Sequence, residues 1–290
     1  MKIDWKFWDR DYRLDKMSLS ELTIAYFLYP TIQTYLVLGI ASMVLAFYWG
    51  IGAVPLVVSV AAAIVLYPVF WYGLHRFVLH GKYLYRSPLT AKVWKRIHFD
   101  HHRDPHDLKV LFGALYTTLP TILILVTPIG WLIGGQSAAA AAFSAGLFMT
   151  CFYEYCHCIQ HLRYTPKSPS LKAIKKLHLQ HHFHDEHHNF GITNFLPDKI
   201  FGTFNRDAKS CDKSETVFNL GYTKDEVKSY PWVARMTHDI DETEAAEHGV
   251  KQRKYNDPAY GASNLIDGCD EKRKKEQGEQ DKKKSVKDAA

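Results

Sequence analysis

The sequence predicts an all-α integral membrane protein: a four-transmembrane-helix bundle, made of two hairpins, with a helical cytosolic cap. The main observation is that charge is absent from two long stretches. From Thr34 to Gly73, and again from Val110 to Tyr153, the chain contains no Asp, Glu, Lys or Arg. A membrane-spanning helix needs about 20 apolar residues, so each stretch has room for two spans. The second observation is that dense clusters of histidine follow each stretch.

Residues that favour turns divide each stretch near its middle. Gly50, Gly52 and Pro55 do so in the first stretch, and Gly134 and Gly135 in the second. A soluble all-helical protein is the alternative, but soluble helices of this length show a charged face. A cleaved signal peptide is disfavoured because the first 20 residues are charged and have no small-residue cleavage site. The predicted spans lie near residues 34–51, 53–73, 110–133 and 136–156.

The distribution of charge predicts the orientation in the membrane. The net charge is +6, and Lys and Arg crowd the segment between the two hairpins, whereas the hairpin turns have none. By the positive-inside rule, both termini and the central segment face the cytoplasm, in a bacterial inner membrane or the endoplasmic reticulum. Charge placed in this way argues against a nucleic-acid partner. The central basic residues are Arg76, Lys82, Arg86, Lys92, Lys95, Arg96, Arg103 and Lys109.

Four regions follow from these patterns. Residues 1–33 are expected to lie in the membrane interface, with Trp5, Phe7 and Trp8 as anchors and a capping box formed by Ser18 and Glu21. Residues 34–204 are expected to form the catalytic membrane domain. Residues 205–269 form an extension to which the sequence assigns no role. Residues 270–290 are almost entirely charged or polar, which predicts a disordered tail.

The sixteen histidines are informative through their spacing. Ten of them fall in four motifs, HRFVLH, HFDHH, HCIQH and HLQHH. Residues three or four apart on a helix share one face, so three of these motifs present their imidazoles to a common point. The five-residue step in the first motif requires a helix end or a local distortion. The ten are His75, His80, His98, His101, His102, His157, His161, His178, His181 and His182.

The predicted topology brings the four motifs to the same side of the membrane, because two spans separate the first pair of motifs from the second. Ten neutral imidazoles in one place imply metal, since each unsatisfied buried polar group costs roughly 1–3 kcal/mol. One ion rarely takes more than six ligands, so ten donors suggest two ions. Imidazole suits iron, zinc, copper and nickel alike.

Other residues near the motifs are expected to have different roles. His184 and Asn189 are candidates to support the ligands from outer positions. His106 is expected to be a solvated loop residue. The five cysteines show no disulfide pattern, and Cys156 and Cys158 are interpreted as small apolar residues near a helix end rather than as thiolate ligands.

The order of the motifs over residues 55–204 resembles the fatty acid hydroxylase and sterol desaturase superfamily of membrane di-iron enzymes, and most closely its fatty acid hydroxylase members. NFGIT, from Asn189 to Thr193, and DKIFGTF, from Asp198 to Phe204, complete the match. The resemblance implies a four-span bundle whose cytosolic cap holds two iron ions through the ten histidines, with O2 as oxidant and a lipid as substrate. Purified protein is expected to contain zinc in place of iron, because zinc lies above iron(II) in the usual affinity order.

Some members of this superfamily carry a fused haem-binding donor domain marked by His-Pro-Gly-Gly, which is absent from this sequence. The resemblance therefore implies that electrons come from a separate donor protein. Hydroxylation of an acyl or sphingoid chain is the preferred reaction; sterol or lipid desaturation, sterol methyl oxidation and ether-lipid cleavage stay open. A metal transporter or storage protein is the alternative from another class, although transporters usually place polar groups at mid-membrane. An inactive scaffold would be expected to lose ligands, and all ten are present.

Overall fold

The computed structural model describes residues 12–250. Within that range the regular elements are helical, and the only β-type pairing is an isolated bridge between Arg13 and Asp107. The predicted all-α class is therefore confirmed. The proposed anchors Trp5, Phe7 and Trp8 and the predicted disordered tail lie outside the described residues.

Twelve α-helices follow one another in residues 12–250, and two of them continue into π-helical turns. In chain order they are α1 (Leu19–Leu28), α2 (Pro30–Tyr48), α3 (Ala53–Gly73, continued as a π-helix over Leu74–Leu79), α4 (Pro88–Trp94, continued as a π-helix over Lys95–Phe99), α5 (Asp100–Arg103), α6 (Leu108–Leu111), α7 (Leu115–His161), α8 (Pro169–Phe183), α9 (Leu196–Ile200), α10 (Lys224–Ser229), α11 (Trp232–Arg235) and α12 (Glu242–His248). Short 3-10 turns lie at Leu14–Lys16, Leu84–Arg86 and Ala208–Ser210.

Helix α1 begins with the predicted capping box. The Glu21 amide donates to Ser18 Oγ at 3.3 Å, and the Ser18 amide donates to Glu21 Oε2 at 2.8 Å. Each bond satisfies an amide that the first turn of a helix leaves without a partner. One face of α1 is buried through Tyr26, whose hydroxyl donates to the Cys151 carbonyl, while Phe27 on the other face is exposed.

The long helix α7 consists of two arms that meet at a glycine pair. Gly134 and Gly135 leave helical geometry, and Gly135 has a φ of 67°, which favours glycine. Gly146 packs against Ile122, where a Cβ would lie only 2.8 Å from the Ile122 Cγ2 atom. On one straight helix these two residues would be roughly 36 Å apart. The arms before and after the glycine pair therefore fold back on each other.

Within residues 12–250, three helical segments are long and apolar enough to cross a membrane: Pro30–Tyr48, Ala53–Leu79 and Leu108–His161, the last of which contains both arms of α7. Their outer surfaces are apolar; Val54 and Ile124, for example, are 73% and 70% exposed. Such exposure is typical of an integral membrane protein, in which lipid replaces water around the helices. Inside the bundle, Ser144 Oγ donates to the Gly39 carbonyl at 2.8 Å.

The helix ends differ from the predicted spans in an informative way. The second arm of α7 continues to His161, beyond the predicted end near residue 156. The added turn is polar, but His157, Gln160 and His161 are all at least 92% buried, so the helix continues where its polar face meets protein. At the same end of the bundle, α2 begins at Pro30, four residues before the predicted start near residue 34, because proline is well suited to the first helical turn.

The described part of the extension, residues 205–250, packs on the helical segment over residues 84–103, which we call the cap. Tyr222, Val227 and Val233 are buried in one cluster with Trp94 and Phe99 of the cap. A salt bridge also joins the extension to the cap, from Arg103 to Asp239 at 3.0 Å. The extension thus contributes to the core beside the histidine motifs.

Candidate metal centre

Nine of the ten predicted histidines form two compact groups, in each of which one ring nitrogen per residue lies within 4.8 Å of the others. Eight of the nine are buried. One group contains His101, His157, His161, His178 and His182, and the other contains His75, His80, His102 and His181.

A π-helix resolves the five-residue step between His75 and His80. The turn Leu74–Leu79 is π-helical, and the His80 amide donates to the His75 carbonyl at 3.1 Å. Because a π-helix closes its hydrogen bonds over five residues, residues five apart come onto one face. The two Nε2 atoms lie 3.2 Å apart as a result. The expected local distortion is therefore present, and it brings these two imidazoles together.

The two groups are adjacent. His102 and His182 stack with ring centroids 4.2 Å apart, and the His101 and His182 centroids are 4.5 Å apart. His98, which belongs to neither group, lies beside the second one, with its ring centroid 4.6 Å from that of His80 and 4.7 Å from that of His102. All ten predicted histidines thus converge on one place.

Backbone carbonyls fix the orientation of several rings. Nδ1 of His75 lies 2.7 Å from the Phe190 carbonyl, Nδ1 of His181 lies 2.7 Å from the His188 carbonyl, and Nδ1 of His102 lies 3.1 Å from the Val217 carbonyl. A carbonyl oxygen can only accept, so Nδ1 carries the proton in each ring and Nε2 keeps its lone pair. Metal-binding histidines are commonly held in this way.

The environment of the rings suits metal ligation. Burial, followed by the neighbouring imidazoles, lowers the pKa of His80, His98 and His182 well below the ordinary histidine value. These rings are therefore neutral at pH 7. Several buried ring nitrogens, including His98 Nε2, His157 Nε2 and both nitrogens of His182, have no hydrogen-bond partner. Two ligands of one ion with metal–nitrogen bonds near 2.0–2.1 Å lie roughly 2.9–3.4 Å apart, close to the 2.8 Å between His161 Nε2 and His178 Nε2.

Asp198 links the two sequence motifs that follow the histidines. This fully buried carboxylate accepts hydrogen bonds from the Phe190 amide at 2.8 Å, the Gly191 amide at 2.9 Å and Thr203 Oγ1 at 2.8 Å. It thereby holds the peptide whose carbonyl accepts from His75. The DKIFGTF motif thus supports the NFGIT loop, which in turn orients a candidate ligand.

The other histidines near the motifs take separate places. The expectation that His106 is solvated is wrong: it is 4% exposed, and its Nδ1 lies 2.9 Å from the His161 carbonyl. His184 Nε2 lies 3.0 Å from the Cys211 carbonyl, and neither group includes this residue. Asn189 is buried with a φ of 58° and exchanges side-chain bonds with the backbone of Asn205. Cys158 is fully buried in the apolar core, and neither group includes a cysteine.

Comparison with known proteins identifies the family that this stretch of the chain matches. The fatty acid hydroxylase family model matches residues 60–203, which contain all ten histidines. This stretch is a fatty acid hydroxylase domain.

Curated relatives of the hydroxylase domain carry matching names. The chain is 36% identical over 159 residues to the dihydroceramide fatty acyl 2-hydroxylase FAH1 of Arabidopsis thaliana, covering 52% of this chain and 60% of that protein. It is 31% identical over 140 residues to the ceramide very long chain fatty acid hydroxylase SCS7 of Saccharomyces cerevisiae, covering 46% and 34%. The chain therefore spans between about a third and three fifths of the length of these relatives.

A solved structure has the same fold. It is the structure of full-length scs7p, in which only the hydroxylase domain is visible. The two superimpose with a TM-score of 0.54 and 25% sequence identity, covering 66% of this chain and 69% of that one.

An apolar cavity of about 260 Å³ leads to the histidines of the hydroxylase domain. Its wall is mainly apolar, but it includes Glu154, which is 6% exposed and accepts a hydrogen bond from the Gly113 amide at 3.1 Å. Glu154 was not among the predicted site residues, although an acidic residue at the end of an uncharged stretch is a recognisable signal. The cavity wall includes Trp71, Leu79, Ile97, Thr117, Tyr153 and the candidate ligands His75, His98, His101, His157 and His182.

Proposed function

We propose that this protein is an O2-dependent di-iron hydroxylase that acts on C–H bonds of a lipid, in its fatty acyl or sphingoid chain. The observation that supports this best is the convergence of ten imidazoles, nine of them buried, at the end of an apolar cavity, beside helices of membrane length. The relatives point the same way, because those named above are hydroxylases of ceramide or dihydroceramide acyl chains.

Each ion would take five imidazole ligands. The first group supplies five, and His98 completes the second, because its ring lies against His80 and His102. Neutral nitrogen donors suit both iron(II) and zinc. A bound iron pair would supply the oxidising power that an unactivated C–H bond requires.

The chain's own residues would place the lipid and keep water away. The apolar walls fit an alkyl chain and exclude water from the reacting carbon. Glu154 is held through one oxygen by Gly113, which leaves the other to hydrogen-bond a polar group of the lipid. Such a contact would decide which carbon faces the histidines, and a misplacement of about 1 Å can slow a reaction about a hundredfold.

In the membrane, we propose four spans formed by α2, α3 and the two arms of α7, with the termini and the metal centre on the cytoplasmic side. With four spans, all four histidine motifs lie on the same side of the membrane. Lys82, Arg86 and Lys92 are exposed in the segment that joins the first two histidine motifs. A basic surface there would favour docking of an acidic electron-donor protein.

Metal exchange tests this proposal. Metal-free protein in lipid nanodiscs is loaded anaerobically with iron(II) or zinc, then given a reductant, a donor protein and isotopically labelled O2. We expect the iron form to add one labelled oxygen atom to a lipid and the zinc form to remain inert, because zinc has no redox chemistry.

Mass spectrometry of extracted lipids measures the product. Equal turnover by the zinc form would refute the oxygenase assignment and favour a hydrolytic site. O2 consumption without a modified lipid would also contradict it. Loss of two hydrogens in place of gained oxygen would identify a desaturase instead.

A further inference from the structure

A second cluster of metal-binding residue types lies outside the ten histidines. Asp185, His188 and Cys211 bring one donor atom each to within 4.8 Å of one another. The loop after α8 supplies the first two, and the 3-10 turn Ala208–Ser210 places the third. Asp185 is 5% exposed, while His188 and Cys211 are half-buried. The cluster is thus accessible to an ion from solvent.

One separation in this cluster is close to that between two ligands of a tetrahedral site. Cys211 Sγ lies 3.4 Å from Asp185 Oδ2, and His188 Nδ1 lies 2.6 Å from the same oxygen. Ligands of one zinc ion, at 2.0–2.3 Å from the metal, are roughly 3.3–3.6 Å apart. The sulfur–oxygen pair already matches, and the imidazole has to retreat by about 0.7 Å for an ion to enter.

A neighbouring amide supports the sulfur. Asn205 Nδ2 lies 3.2 Å from Cys211 Sγ, and Asn205 is itself 8% exposed. Its backbone amide donates to Asn189 Oδ1 at 2.9 Å, so its place is fixed by the loop it supports. An N–H aimed at sulfur stabilises a coordinated thiolate, just as amide donors stabilise other anionic ligands. The cluster therefore has both donor atoms and a partner that orients one of them.

We propose that Asp185, His188 and Cys211 form a third metal site, separate from the ten histidines, that binds zinc. A thiolate, an imidazole and a carboxylate together favour zinc, and three protein ligands leave the fourth position to water. On binding, the ion replaces the thiol proton, which passes to solvent.

The third site would stabilise the loop that orients a main-centre ligand. The His188 carbonyl lies 2.7 Å from Nδ1 of His181. A zinc ion on the His188 ring therefore fixes the residue whose backbone holds His181. The lipid cavity does not include the third site.

Cobalt substitution tests the third site without reference to enzyme activity. Metal-free full-length protein in detergent is titrated anaerobically with Co²⁺, and the near-ultraviolet sulfur-to-cobalt charge-transfer band is recorded. The ten-histidine centre has no sulfur ligand, so the band reports the third site alone. We expect the band in the unchanged protein, and its loss in Cys211→Ser and in His188→Gln.

Matched controls are Cys156→Ser, which removes another half-buried thiol, and His187→Gln, which changes the exposed neighbouring imidazole. Both should keep the band. Zinc analysis should find one more ion per chain in the unchanged protein than in Cys211→Ser.

Absence of the band from the unchanged protein at saturating Co²⁺ would overturn the proposal, and so would its survival in Cys211→Ser. Should Cys211→Ser not fold, His188→Gln and the unchanged protein still decide the question. If His187→Gln lost the zinc while Cys211→Ser kept it, the ion would instead lie on Asp185, Glu186 and His187. That result would refute the thiolate site.

Discussion

Replacing Asp198 by asparagine should weaken metal binding although the side chain touches no metal ligand. Asp198 is fully buried and accepts three hydrogen bonds, from the amides of Phe190 and Gly191 and from the Thr203 hydroxyl. Asparagine keeps one accepting oxygen, but an NH2 group replaces the other. That NH2 group and a backbone N–H, both of them donors, then face each other. The Phe190 peptide, whose carbonyl orients His75, then loses part of its support.

The size of the effect follows from these contacts. A hydrogen bond to a charged group contributes about 1.5–3 kcal/mol, and a buried amide left without a partner costs about 1–3 kcal/mol. These terms overlap, so we expect Asp198→Asn to lower the free energy of unfolding by about 2–4 kcal/mol. Loss of a group that supports a ligand typically reduces metal affinity by about 10–100-fold.

Competition with a chromogenic chelator measures the metal affinity of the purified protein, and a thermal melt reports its stability. The matched control is Asp207→Asn, at an exposed residue of the same segment whose side chain accepts from the Lys209 amide at 3.1 Å. Its stability should change by less than about 0.5 kcal/mol. Unaltered metal affinity in Asp198→Asn would refute the link from Asp198 through Phe190 to His75.

Three further outcomes are expected. His182→Ala should abolish lipid hydroxylation and lower metal content while membrane insertion is kept, whereas the exposed His238→Ala should do neither; full activity of His182→Ala would contradict the ligand assignment. Lys175→Met should lower the melting temperature, because the ammonium group donates to the Ile159 carbonyl in the last turn of α7 at 3.3 Å and to the Tyr164 carbonyl just after the helix at 2.8 Å. An unchanged melt would show that these bonds add nothing. Ending the chain after residue 269 should preserve activity, while ending it after residue 215 should abolish activity, because residues 216–250 pack on the cap. Equal activity of the two truncated proteins would refute a role for residues 216–250.

The sequence alone was sufficient for the local features. Uncharged stretches predicted the apolar helices, and Gly134 and Gly135 marked the place where α7 breaks. Ser18 and Glu21 predicted the first helix cap. These features depend on residues that are neighbours in the chain, so composition and spacing reveal them. The histidine spacing likewise identified the ten rings that the fold brings together.

Only the tertiary structure decided how the centre is held. The five-residue step from His75 to His80 is accommodated by a π-helix, which periodicity does not predict. The carbonyls that orient the rings come from distant positions; Val217, which serves His102, is 115 residues away. The predicted solvent exposure of His106 was wrong for the same reason, since the chain around His161 covers it. Contacts between residues far apart in sequence depend on packing, and a single sequence contains no direct record of that packing.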